Sequence, residues 1–214
     1  MTLVKSAPAV VVLGLATFFA LPSAAQHTSP EPGTVWSKPA SVTFEDGGKR
    51  AYEEGLIFVE ENREDRDSRI IGIRFMRFRS TAETPGEPVF YLPGGPGSTI
   101  DPEELTKPRI RSTIELYTRA GDLVMLDQRG NGKVAFHPDM KVDVAAQPLD
   151  RPASAERARR ALRRGVANAL ETWSDAGFDL AGYDIVQAVE DLNDARRALG
   201  YDDIILRGNS FGSQ

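Results

Sequence analysis

The 214-residue chain is 27% charged and 41% hydrophobic, with no cysteine and two histidines. That composition excludes a disulfide scaffold, a collagen-like repeat and a low-hydrophobicity disordered chain, and with them cysteine-ligated zinc fingers and iron–sulfur clusters. The 26 basic and 31 acidic side chains leave a net charge of -5, so no electrostatic footprint for nucleic acid exists.

Residues 1–25 read as a secretory leader. Lys5 precedes an uncharged apolar run over residues 7–21, and Ser23-Ala24-Ala25 supplies a small-residue cleavage site. The run carries Pro8 and is short of the roughly 18–20 apolar residues of a membrane span. Cleavage near Ala25 is therefore expected, with no membrane anchor left behind. No twin arginine is present, so the expected route is of the Sec type, to the periplasm or the exterior. An exported chain without disulfides depends on its hydrophobic core.

Residues 26–45, with Pro30, Pro32 and Pro39, read as an extended lead-in, and residues 46–214 as the folded part. Two strands follow, over residues 54–60 and 69–79, the second alternating Ile73, Phe75 and Phe78 with Arg74, Arg77 and Arg79. The charged stretch between them reads as a solvated hairpin connection. Residues 89–92 form a short continuous apolar run, as a buried parallel strand does, and stop at Pro93-Gly94-Gly95-Pro96-Gly97. Asp101 and Pro102 open a helix that Pro108 is expected to disrupt. Residues 122–126 form another buried strand, ending at Asp127-Gln128-Arg129-Gly130, and residues 134–152 read as a long loop.

Residues 154–173 carry a helical stripe of Ala158, Ala161, Leu162, Val166, Ala169, Leu170 and Trp173. Five arginines (Arg157, Arg159, Arg160, Arg163, Arg164) fall opposite that stripe and read as a solvated face. A second helix, 185–199, has Asp184 as N-cap, a stripe of Ile185, Ala188, Val189, Leu192, Ala195 and Leu199, and Gly200 just past its end. Residues 204–206 then run as a strand into Gly208-Asn209-Ser210-Phe211-Gly212. Buried strands alternating with amphipathic helices predict an α/β fold with a mostly parallel sheet, preceded by an antiparallel hairpin.

The G-x-S-x-G pattern at residues 208–212 carries weight because a strand enters it directly. A nucleophile elbow needs a sharp strand-to-turn junction with small flanking residues, so that the serine Oγ stands above the sheet. Ser210 is the expected nucleophile. A tetrahedral oxyanion needs two preorganised N–H donors. Phe211 follows the nucleophile and supplies one, while Gly95, or alternatively Gly94, lies where the second is expected. The glycine loop contains neither G-x-G-x-x-G nor G-K-[ST], which argues against a phosphate cradle. No ligand cluster for a metal or an organic cofactor is read.

Three motifs stand in order: Tyr91-Leu92-Pro93-Gly94-Gly95-Pro96-Gly97-Ser98, then Leu126-Asp127-Gln128-Arg129-Gly130-Asn131-Gly132, then Gly208-Asn209-Ser210-Phe211-Gly212. Together they resemble the proline iminopeptidase and tripeptidyl-aminopeptidase group of α/β-hydrolases, over about residues 50–214. One departure is Pro93, where many relatives carry histidine. The resemblance implies an α/β-hydrolase fold, with Ser210 as nucleophile, Gly95 and Phe211 as oxyanion donors, and Asp127 and Arg129 bracing the loop near the site. It implies peptide substrates with a free N-terminus, cleaved through an acyl-enzyme. In this superfamily the acid and the histidine follow the serine. His27 and His137 both precede Ser210, so the triad is expected to be incomplete in these residues, truncated just after the elbow. Residues 26–214 alone are then expected to be neither stable nor active. Two other readings stay open: a carboxylester hydrolase on the same scaffold, and a non-catalytic fragment.

Overall fold

The computed structural model describes residues 30–95, 97–99, 101–131, 142–148, 150 and 152–214. The expected leader, His27 and His137 lie outside the described residues. The architecture is α/β, with a mixed six-stranded sheet and three α-helices among the described residues. The strands are β1 (Val35–Thr43), β2 (Lys49–Glu60), β3 (Ile70–Phe78), β4 (Gly86–Leu92), β5 (Gly121–Leu126) and β6 (Ile205–Gly208), and the helices are α1 (Pro108–Thr118), α2 (Ala155–Asp175) and α3 (Ile185–Ala198). Strand order is β1-β2-β3-β5-β4-β6. The β1/β2, β2/β3 and β3/β5 pairs are antiparallel, while β5/β4 and β4/β6 are parallel.

Two expectations change here. The sheet is mixed rather than mostly parallel, because the N-terminal part is a three-stranded antiparallel meander and not a hairpin. The third strand is β1, whose nine residues all lie within the expected lead-in. It is an edge strand whose side chains are exposed apart from Val42 and Ala40, so it carries no apolar alternation; its pairing with β2 makes it a strand.

Side chains alternate across the sheet and build a core on each face. Leu123 and Met125 of β5 pack with Met76, Phe78 and Val89 under Ile110 and Ile114 of α1. Val124 and Leu126 point the other way, against Ile73, Phe75, Phe90 and Ala195 of α3. The element opened by Asp101 ends just before Pro108, as expected, with Lys107 in an extended conformation. It is a five-residue 3-10 turn (Pro102–Thr106), capped by Asp101, and Pro108 opens α1 at a position where its missing N–H is no loss.

Both remaining helices depart from their expected faces. In α3 the Asp184 cap is as expected, its Oδ1 accepting from Gln187 N. The buried line, however, is Gln187, Asp191 and Ala195, while Ile185 and Val189 of the apolar stripe are exposed. In α2, Ser154 caps the helix, and only Gly165 and Ala169 are buried; Leu162, Val166 and Leu170 stay exposed. Among the described residues no helix is long and apolar enough to cross a membrane.

Candidate active site

Three parallel neighbours, β5, β4 and β6, end on the same edge of the sheet, and each expected motif begins at one of those carboxyl ends. Such edges are where open α/β sheets place their ligand sites. The Gly-rich loop leaves β4 after Leu92, the Asp127 loop leaves β5 after Leu126, and Asn209-Ser210 leaves β6 after Gly208.

Ser210 is the one non-glycine residue with positive φ among the described residues, at 51°. An L-residue in that region is strained by roughly 1–2 kcal/mol, so the surroundings must hold it there. The β4/β6 ladder runs through Leu92 and Gly208, and Asn209 N donates to Leu92 O at 3.1 Å. On the far side, Gly212 N donates to Asn209 O at 2.9 Å and Ser213 Oγ donates to Ser210 O at 2.5 Å. The flanking glycines are required by contact. A Cβ on Gly208 would lie 2.5 Å from Gly212 O, and one on Gly212 would lie 2.6 Å from both Leu92 O and Pro93 O. Ser210 itself is exposed.

The structure brings Gly94 against the elbow: a Cβ there would meet Asn209 O at 3.0 Å and the Ser210 Cβ at 3.2 Å. Gly95 adopts φ 129° and crowds Gly97 N and Ser98 N instead. Of the two glycines, Gly94 is the one at which an added Cβ would meet Ser210. Phe211 is half-buried beside the same site and lines a cavity of about 390 Å³ with Leu92, Leu126, Gln128, Val189 and Leu192.

Asp127 and Arg129 both hold the loop that leaves β5. Arg74 Nε donates to Asp127 Oδ2 at 2.7 Å, and Asp127 N donates back to Arg74 O at 2.9 Å. Arg129, only 2% exposed, donates to Asp191 Oδ2 at 2.7 Å and Oδ1 at 2.5 Å, to Glu61 O at 2.6 Å, to Glu60 O at 3.3 Å and to Gly182 O. All five guanidinium N–H groups are thus used in a fork that lysine lacks. Asp191 also receives Arg63 Nη2 at 2.8 Å, and Arg63 reaches Asp194 and the Gln187 side chain. A second ion pair, Arg69 with Glu61, closes this end, with the Tyr183 hydroxyl donating to Glu61 at 2.7 Å. Burial first, then that bond, pushes the Tyr183 phenol well above its ordinary value, so it keeps its proton.

Sequence reasoning missed Arg63, Arg74, Asp191 and the buried role of Gln187. A polar residue inside an apolar helical stripe, as at Asp191, was the available signal. Among the described residues, no group of three or more acidic or histidine side chains could hold a metal ion. Compared with known proteins, the sequence matches no family model and none of the curated proteins.

Proposed function

We propose that this chain carries the nucleophile half of an exported serine hydrolase on an α/β-hydrolase scaffold, acting as a peptidase that releases N-terminal residues. The observation that carries the reading is Ser210 at φ 51°, flanked by Gly208 and Gly212 at the end of a parallel strand, with Gly94 against its Cβ. A serine held in strain at a strand-to-turn junction is what an elbow requires. The order β3-β5-β4-β6, with β3 antiparallel to its neighbour, agrees with the resemblance drawn from the three motifs.

In the proposed reaction Ser210 Oγ forms a bond to the substrate carbonyl carbon and gives its proton to a base. Backbone N–H groups at Phe211 and the Gly94-Gly95 loop stabilise the oxyanion. The carbonyl–nitrogen bond then breaks, the amine leaves with the proton, and water hydrolyses the acyl-enzyme. The base and its acid are proposed to come from residues outside these 214, since both histidines precede the serine. Asp127 and Arg129 hold the adjoining loop and take no part in proton transfer.

Proline and tripeptide arylamides, compared with short acyl esters on the native exported protein, test this reading. The expected outcome is faster arylamide turnover that Ser210→Ala removes. Ester turnover alone would favour a carboxylester hydrolase, and no turnover of either would favour a non-catalytic fragment.

A further inference from the structure

Asn209 stands where the β4 exit, the glycine loop and the serine turn meet. Its backbone N donates to Leu92 O at 3.1 Å, and its carbonyl accepts from Gly212 N at 2.9 Å. Both bonds belong to the main chain, and any residue other than proline makes them. The backbone is extended, at φ -120° and ψ 122°, and asks for no particular side chain. Asparagine ahead of a helical turn ordinarily caps it, its side-chain oxygen accepting from an N–H of that turn. The Asn209 carboxamide makes no such bond to the Ser210–Ser213 turn, nor any hydrogen bond among the described residues. Neither the turn nor the backbone conformation therefore accounts for an asparagine here.

The side chain lies beside the glycine loop instead. A Cβ built on Gly94 would have three nearest neighbours: Asn209 O at 3.0 Å, Ser210 Cβ at 3.2 Å and Asn209 Nδ2 at 3.3 Å. Two of the three belong to Asn209. Pro93 and Gly94 are buried while Gly95 and Asn209 are exposed, so the loop emerges from the interior next to this side chain. Glycine has no side chain of its own with which to hold that spacing. An oxyanion hole works only when its donors are preorganised, and a misplacement of about 1 Å costs on the order of a hundredfold in rate. We propose that Asn209 is a positioning residue whose carboxamide is the shelf for the Gly94-Gly95 loop, fixing the distance between the N–H groups of that loop and Ser210. The bulk of the side chain does this, because the contact is one of packing and not a hydrogen bond. The assignment rests on the serine-hydrolase reading and adds the part that holds its oxyanion loop in place.

The test uses the native exported protein and its Asn209→Ala and Asn209→Leu variants. Alanine removes the shelf and keeps every backbone bond, while leucine keeps a branched side chain without the amide. The rate of fluorophosphonate labelling at Ser210 is measured on each, with kcat and KM on a peptide arylamide and the thermal unfolding midpoint. Asn209→Ala is expected to label and turn over at least about tenfold more slowly with KM little changed, because the loop serves the transition state. Asn209→Leu is expected to recover most of both rates. Unchanged labelling in Asn209→Ala overturns the assignment. So does an equal loss in Asn209→Leu at an intact unfolding midpoint, or a loss confined to KM. A wild-type protein that labels, with both variants as fast, removes only the role of Asn209. A wild-type protein that takes no label removes the hydrolase reading and the role of Asn209 with it.

Discussion

Ser210 combines a conformation that costs stability with an exposed hydroxyl, and the two can be separated. Replacing it by alanine or glycine deletes the same Oγ, but only glycine adopts φ 51° without strain. Ser210→Gly is therefore expected to be more stable than Ser210→Ala by about 1 kcal/mol. Thermal unfolding of the two variants measures the difference, and equal midpoints would mean that the elbow is not strained. Gly212→Ala acts in the opposite direction. Its methyl would sit 2.6 Å from two carbonyl oxygens of the β4 exit, and backbone at that distance must move. A loss of about 2 kcal/mol or more is expected, with the elbow displaced. The serine was legible in the sequence because the spacing of its glycines encodes the tight turn. The Arg74–Asp127 pair was not, since the two residues meet only through the pairing of β3 with β5.

At the scale of elements, polar contacts decide how α3 sits. Its apolar stripe would have turned Ile185 and Val189 inward, yet Gln187 and Asp191 hold that place. The cause is the buried Arg129 and the half-buried Arg63, whose guanidiniums take those partners. Arg129→Met leaves Asp191 and three carbonyl oxygens without this donor. Breaking a buried pair from one side costs about 3–5 kcal/mol, which chemical denaturation reads directly. The N-cap of α3 and the run of β5 were readable because local chemistry fixes them. Strand β1 was not, because its partner across the sheet supplies the reason for its extension. Asp122 on β5 adds a pH dependence. Burial alone would raise its carboxyl, but bonds from Tyr201, Ser80 N and Arg79 outweigh it and hold the pKa below the ordinary range. A depressed folded-state value stabilises the fold fully above about pH 4 and loses that contribution as pH falls further. Asp122→Asn should lower the unfolding midpoint at pH 6 and progressively less toward pH 3. A deficit independent of pH would contradict this.

Over the whole molecule, the two faces of the sheet are finished to different degrees. The β1–β5 region is enclosed by α1 on one side and α3 on the other, with Phe75, Phe78 and Phe90 fully buried. At β6 both faces are open, since Ile205 pairs with Val89 and Leu206 with Phe90, and they are 51% and 57% exposed. Val186 and Val189 of α3 and Leu162 and Leu170 of α2 add exposed apolar surface. Surface of this kind on a strand edge invites association. Purified residues 26–214 are therefore expected to bind a hydrophobic dye strongly and to self-associate with rising concentration. A monodisperse monomer without dye binding would contradict that. The hydrophobic pattern made the α/β class legible, but not this imbalance, because periodicity identifies an apolar face without saying what covers it.

The most direct measurement is fluorophosphonate labelling of the native exported protein, with the modified residue located by mass spectrometry. Label on Ser210, absent from Ser210→Ala, is the predicted result. A protein that takes no label, or that carries it elsewhere with Ser210→Ala unaffected, would contradict the assignment of Ser210 as a nucleophile.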